Sequence, residues 1–101
     1  MPFGDFVNQI PPIGFLAIHL VAFVMGAFFA RQAFAAGSSG LGWGFALFAL
    51  AEISYMTYHL DWTTFLFAHT ISEVLDLLAM VSFFVAAVRT VRSPDAAAAR
   101  G

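Results

Sequence analysis

The chain has 101 residues, of which 61% are hydrophobic and 10% are charged, and its formal net charge is -2. A soluble domain carries roughly 25% charged residues, so this composition excludes a soluble globule and indicates a single integral membrane domain over residues 1–101. Cysteine and lysine are absent, which excludes disulfides, thiolate metal sites, Schiff bases and P-loops. Four basic residues give no electrostatic basis for nucleic-acid binding.

Three long apolar stretches follow one another along the chain, at about 13–34, 41–60 and 65–88. Each has at least the ~20 residues that a helix needs to cross the hydrocarbon core. Pro12 suits the first turn of the first helix, and a glycine- and serine-rich break at 37–40 separates the first two helices. Asp61, Thr63 or Thr64 is expected to cap the third helix. We predict an all-α integral membrane fold, a bundle of three transmembrane helices with a frayed tail at 93–101.

The first span has a second interpretation, as a secretory signal peptide. Ala33–Ala35 resembles a small-residue cleavage site. However, the start of the chain carries Asp5 and no positive charge, and the apolar run exceeds the roughly 7–15 residues of a signal core. We therefore expect a retained transmembrane helix.

The arginines predict the orientation. Arg31 closes the first span, Arg89 and Arg92 close the third, and Arg100 lies in the tail. All four fall on one side of the membrane in the three-span arrangement. The positive-inside rule then places the N-terminus outside and the C-terminus in the cytoplasm. The expected location is a bacterial or archaeal membrane of the cytoplasmic type.

Ionisable side chains inside the predicted spans are the main functional signal. An ionisable group at the bilayer centre costs at least ~2.5–3.5 kcal/mol, so such groups are functional candidates by default. Half of the six acidic residues and all three histidines lie in the spans. The candidate site residues are His19, Glu52, His59, His69, Glu73 and Asp76.

The spacing of these residues predicts that they converge. Glu52 and His59 share one face of the second helix, and His69, Glu73 and Asp76 share one face of the third. The two helices form a hairpin, so residues equally far from its turn lie at similar depths. We expect the six groups to meet in the outer half of the bundle.

A bound transition metal is the best hypothesis from these residue types. Histidine and carboxylate ligands suit zinc, iron, copper or manganese. The predicted function is a redox or metal-handling site in a small membrane subunit. A haem or chlorophyll is less favoured, because the small residues Gly26, Ala30, Gly40 and Gly44 that would make room for it lie toward the inner side. No nucleophile–base pair is visible, so we do not expect an enzyme acting on its own.

Two alternatives remain open. In the first, the chain is a structural accessory subunit of a respiratory or photosynthetic complex, and its polar cluster is a hydrogen-bonded lock. In the second, it is a small proton-coupled transporter in which His69, Glu73 and Asp76 form a relay. Three helices bury little of their own surface. The expected partners are therefore the lipid bilayer and other membrane subunits or copies of the chain, packed against the first helix at Gly26 and Ala30.

Overall fold

The structure is a computed structural model and describes residues 3–92. It contains three α-helices, α1 (Pro12–Ala35), α2 (Ser39–His59) and α3 (Phe65–Arg92), after a short 3₁₀ helix at Asp5–Gln9. No strand is present in this part of the chain, so the predicted all-helical fold with three helices is confirmed there. The expected frayed tail at 93–101, with Arg100, lies outside the described residues.

Local sequence explains where the helices begin. Pro12 occupies the first turn of α1, where its missing N–H leaves no hydrogen bond unmade. The hydroxyl of Thr64 accepts a hydrogen bond from the Phe67 amide at 3.4 Å, at the start of α3. Thr63 instead pairs with Thr57 at 3.0 Å. Of the three residues expected to cap α3, Thr64 therefore takes that role.

After both α1 and α2, the second residue beyond the helix end has a left-handed backbone conformation. Gly37 (φ 81°) follows α1, and Asp61 (φ 64°) follows α2. At the end of α2 the Trp62 amide donates to the Thr57 carbonyl at 2.9 Å, and the Asp61 amide donates to the Tyr58 carbonyl at 3.0 Å. This pair of bonds is the Schellman motif, in which glycine is the usual residue. Asp61 therefore holds a backbone conformation that costs energy.

The helices form a row with α2 in the centre. α2 packs against α1 on one side and α3 on the other, and within residues 3–92 no Cα of α1 lies within 8 Å of one in α3. The expected bundle is thus an open layer of three helices. Its two outer helices leave a groove between them over α2.

Small residues form both helix interfaces. Ser72 is fully buried in α3 and donates to the Ala51 carbonyl of α2 at 3.0 Å. Ser54 of α2 donates in return to the Ala68 carbonyl of α3 at 3.1 Å. The buried positions are Gly26 and Ala30 in α1, Gly42, Gly44, Ala49 and Ala51 in α2, and Ala68, Ser72, Ala79 and Ala86 in α3. Such residues let helix backbones approach closely.

The sequence-based expectation for Gly26 and Ala30 was wrong in one respect. Both are buried inside the chain rather than left free for another chain. A Cβ built on Gly26 would lie 2.9 Å from the Phe48 ring and 3.3 Å from the Ala49 Cβ. The small face of α1 is therefore already used against α2.

Two of the helices are long and apolar enough to cross a membrane. They are α1 and α3, and only 11% of the most apolar segment of each is buried inside the chain. α2 has 21 residues but is not among them. The open faces of α1 and α3 are dominated by large apolar side chains.

Candidate functional site

A hydrogen bond between α1 and α2 lies at the centre of the candidate site. The Nδ1 atom of His19 lies 2.5 Å from the Oε2 atom of Glu52. The two side chains are 19% and 13% exposed, so the bond is largely shielded. It joins two of the candidate residues across a helix interface.

Stacked rings hold the His19 imidazole in place. Phe15 stacks on His59 with ring centroids 5.1 Å apart, His59 stacks on His19 at 5.3 Å, and His19 stacks on Tyr55 at 5.0 Å. Rings from α1 and α2 alternate in this column. We call His19, Glu52, Tyr55 and His59 the polar cluster.

The sequence builds the polar cluster through helical spacing. Phe15 and His19 are four residues apart on α1, while Glu52, Tyr55 and His59 follow one another at three and four residues on α2. These intervals place side chains on one face of a helix. Because α1 and α2 are antiparallel neighbours, the two faces interdigitate.

The acidic residues of α3 adjoin the polar cluster without bonding to it. Glu73 and Asp76 lie within electrostatic range of the Tyr55 hydroxyl, and Asp76 lies within range of Glu52. Asp76 is half-buried and Glu73 is exposed. His69 stacks on Phe65 of its own helix at 5.3 Å. The structure therefore brings His19, Glu52 and His59 into contact and places Asp76 and Glu73 beside them, whereas His69 packs within α3.

The placement of the histidine and carboxylate side chains bears on the predicted metal site. Over residues 3–92, no group of three or more His, Cys, Asp or Glu side chains is placed to hold a metal ion. A metal binds an imidazole nitrogen in the plane of the ring, about 2.0–2.1 Å away. His19 and His59 stack with planes only 26° apart and centroids 5.3 Å apart, so they cannot share an ion in this arrangement. The metal site on the six candidate residues remains a prediction from sequence.

Two parts of the site were not found from the sequence. The Ser54 and Ser72 bonds fix α2 against α3 next to the cluster. The sequence does contain a feature that indicates this contact, because both serines lie near alanines. Small residues of this kind allow the backbones of membrane helices to approach closely. Phe15 is the second such part, and its position four residues before His19 indicates a shared helix face.

The groove between α1 and α3 is apolar in the half nearer the α1–α2 turn. It has a volume of about 400 Å³. Seven residues from all three helices line it, namely Ala22, Met25, Gly26, Phe29, Phe45, Phe48 and Phe83. We call this region the apolar groove. At the end of the molecule that holds the α2–α3 turn, a second depression of about 250 Å³ lies beside Phe15, Tyr58, His59 and Asp61.

Comparison of the chain with known proteins finds no match. No family model, no curated protein sequence and no solved structure matches it.

Proposed function

We propose that this chain is a small integral membrane subunit with three transmembrane helices, and that its polar cluster locks α1 to α2 in the outer half of the bilayer. The observation that carries this proposal is the shielded 2.5 Å hydrogen bond between His19 and Glu52. The chain works in an assembly with other membrane chains or with copies of itself. In this function, the cluster sets which helix faces remain free for partners.

The exposure pattern supports membrane insertion. The apolar segments of α1 and α3 are only 11% buried, whereas the core helix of a soluble protein is mostly buried. Arg31 lies near the end of α1, and Arg89 and Arg92 lie at the end of α3. Because α2 runs between them, these ends fall on one side. The positive-inside rule makes that side cytoplasmic.

The energetics support a lock. Hydrogen bonds between transmembrane helices contribute about 0.6 kcal/mol on average and up to about 1.7 kcal/mol. The ring column adds apolar contact on both sides of His19. An intramembrane carboxylate that lacks a partner is costly, so the bond also removes a penalty that Glu52 would otherwise carry.

An unpaired acidic side chain supports a partner at α3. Glu73 is exposed and makes no hydrogen bond within residues 3–92. A carboxyl group facing lipid near mid-membrane costs at least ~2.5 kcal/mol. A neighbouring chain that pairs with Glu73 would remove this cost.

Elemental analysis combined with native mass spectrometry tests the proposal. The protein is purified in mild detergent without chelator. We expect a native mass above one copy, or a bound partner, and no stoichiometric zinc, iron, copper or manganese. Stoichiometric metal that disappears in a His19→Ala, Glu52→Ala double variant would contradict the lock and support the metal site.

Proton-coupled transport is the second candidate. It is favoured by the proximity of Asp76 to Glu52, because carboxyl groups of two helices then lie near each other and one of them bonds to the imidazole of His19. In liposomes that contain only this chain, transport predicts a pH-driven flux that Asp76→Asn abolishes. Absence of flux from the unvaried protein would remove this candidate.

A further inference from the structure

We propose that the chain forms a parallel two-fold dimer through an exposed face of α3, in which a second copy supplies the hydrogen bonds that Thr70 and Glu73 lack. This inference rests on the proposed function, since it requires a chain inserted in the membrane, and it names the partner as a copy of the same chain. We call the residues of this face the α3 seam, namely Leu66, Thr70, Glu73, Leu77, Met80 and Phe84.

The α3 seam follows a heptad repeat. Its members alternate at intervals of four and three residues, which is the spacing of the core positions of a left-handed coiled coil. All six are exposed, and the four apolar ones are 60–72% exposed. Ser72, which bonds to α2, directly precedes Glu73, so the seam lies about 100° around the helix from this contact. Within residues 3–92 the seam therefore remains open to another helix.

Two polar side chains interrupt the apolar seam, and neither has a hydrogen-bond partner within residues 3–92. They are the Glu73 carboxyl group and the Thr70 hydroxyl, whereas the Thr90 hydroxyl bonds to the Ala86 carbonyl of its own helix at 3.0 Å. Glu73 lies eight residues from the start of α3 at Phe65, which is roughly 12 Å at 1.5 Å per residue. The hydrocarbon core offers no water to either group. The seam thus presents one donor and one acceptor without partners, one helical turn apart.

A two-fold axis along the membrane normal pairs this donor with this acceptor. All copies insert with the same orientation, so the two α3 helices run parallel. In a heptad seam each side chain packs between the neighbouring layers of the facing helix, which places Glu73 of one copy against Thr70 of the other. An isologous interface repeats each contact, so two hydroxyl donors meet two carboxyl acceptors. Glutamate is long enough for the two carboxyl groups to turn away from the axis toward these hydroxyls.

The opposite flank of α3 carries a second stripe with the same intervals, which we call the lipid stripe. Its members are 38–59% exposed and all apolar, namely Phe67, Ile71, Val74, Leu78, Val81 and Val85. Lipid tails are as apolar as these side chains, so packing the lipid stripe against a helix gains no hydrophobic energy. Polar groups therefore favour the α3 seam as the interface. A second copy is favoured over an unrelated chain, because the seam already carries the matching donor and acceptor.

Cysteine cross-linking of the full chain in liposomes tests which face forms the interface. The chain contains no cysteine, so one introduced cysteine reports one position. Leu77→Cys and Met80→Cys lie in the α3 seam, and Leu78→Cys and Val81→Cys are the matched controls in the lipid stripe. We expect oxidation to give about fivefold or more disulfide-linked dimer from the seam cysteines, because a disulfide needs Cα atoms about 4.4–6.8 Å apart. Equal cross-linking at the control positions, or none in the seam, would overturn the interface.

Energy transfer between labelled copies in liposomes tests the two hydrogen bonds. We expect Glu73→Leu and Thr70→Val each to weaken dimerisation about tenfold, because each removes the same symmetric pair of interhelical bonds. The double variant should lose no more than either single variant. Glu73→Gln keeps an acceptor and should keep the dimer, and Thr90→Val is the matched control, since Thr90 is exposed but lies outside the seam. An equal loss in Thr90→Val, or no loss in Glu73→Leu, would overturn the pairing.

The α3 seam and the proposed function fail in different measurements. Cross-links at the lipid stripe, in a protein whose native mass exceeds one copy, would overturn the seam and leave the proposed assembly standing. Stoichiometric metal bound through His19 and Glu52 would contradict the lock, whereas cross-linking in the seam would be unaffected. A single copy without any bound partner and without cross-links at all four positions would overturn both.

Discussion

His19 and Glu52 are joined by a 2.5 Å hydrogen bond although 33 residues separate them in the chain. The His19 ring also lies between the rings of His59 and Tyr55, so its position is fixed from two directions. This contact joins α1 to α2, and small residues such as Gly26 pack the same interface. It leaves the far side of α2 to pack with α3.

We expect Ser72→Ala to destabilise the chain by about 0.5–1 kcal/mol. Ser72 is fully buried and is the α3 donor in the reciprocal pair of bonds with α2, and the alanine removes one interhelical bond without adding volume. Unfolding in a denaturing detergent, followed by circular dichroism, measures the change. Thr90→Ala is the control, because Thr90 is exposed and, within residues 3–92, its hydroxyl bonds to the Ala86 carbonyl of the same helix. An equal loss in the control would show that the α2–α3 bond does not matter.

Gly44→Ala is expected to destabilise the chain by about 1–3 kcal/mol through overpacking. A Cβ at this position would lie 2.5 Å from the Phe83 ring, so the ring must move into the groove. Phe83→Leu in the same chain makes room for the new methyl group. The double variant should therefore lose less stability than the sum of the two single variants, and simple additivity would contradict the close contact.

Asp61→Gly is expected to stabilise the chain by roughly 0.5–1 kcal/mol. Asp61 has a φ of 64°, where a non-glycine residue pays about 1–2 kcal/mol. The gain is smaller than this because glycine has more freedom in the unfolded chain. Thermal unfolding compares it with Asp61→Ala, which keeps the steric cost and should not stabilise. A lower stability for Asp61→Gly than for Asp61→Ala would refute the strained turn.

Glu73→Gln should change the stability of the isolated chain by less than about 0.5 kcal/mol. Its side chain is exposed and makes no hydrogen bond within residues 3–92. Glu52→Gln is the comparison, because it alters a bonded and shielded group. If both variants lose the same stability in matched unfolding experiments, the two acids do not differ in role as proposed.

Much of the fold is readable from the sequence because its signals are local. Apolar runs indicate the three helices, Pro12 indicates the start of α1, and Thr64 is among the residues expected to cap α3. Helical spacing also brings the two polar faces to similar depth. These signals depend only on residues a few positions apart.

The open arrangement of the helices was not readable from the same signals. Whether α1 touches α3 depends on which face of α2 each outer helix selects, and the small residues Gly26, Ala49, Ala51 and Ser72 make that choice. The sequence analysis assumed a closed bundle, in which all six polar side chains would meet at one point. It therefore predicted more contact among these side chains than the row of helices allows. In the row, His19 bonds Glu52 while His69 stacks on Phe65. Contacts of this kind depend on packing between distant segments.

A double-variant cycle on His19 and Glu52 tests the central claim most directly. His19→Phe keeps a ring in the column and removes the nitrogen, while Glu52→Leu removes the acceptor. The free energy of unfolding of the two single variants, the double variant and the unvaried chain gives the coupling between the two side chains. The lock predicts a coupling of about 0.6–1.7 kcal/mol. A coupling below about 0.3 kcal/mol, with the single effects simply additive, would contradict it.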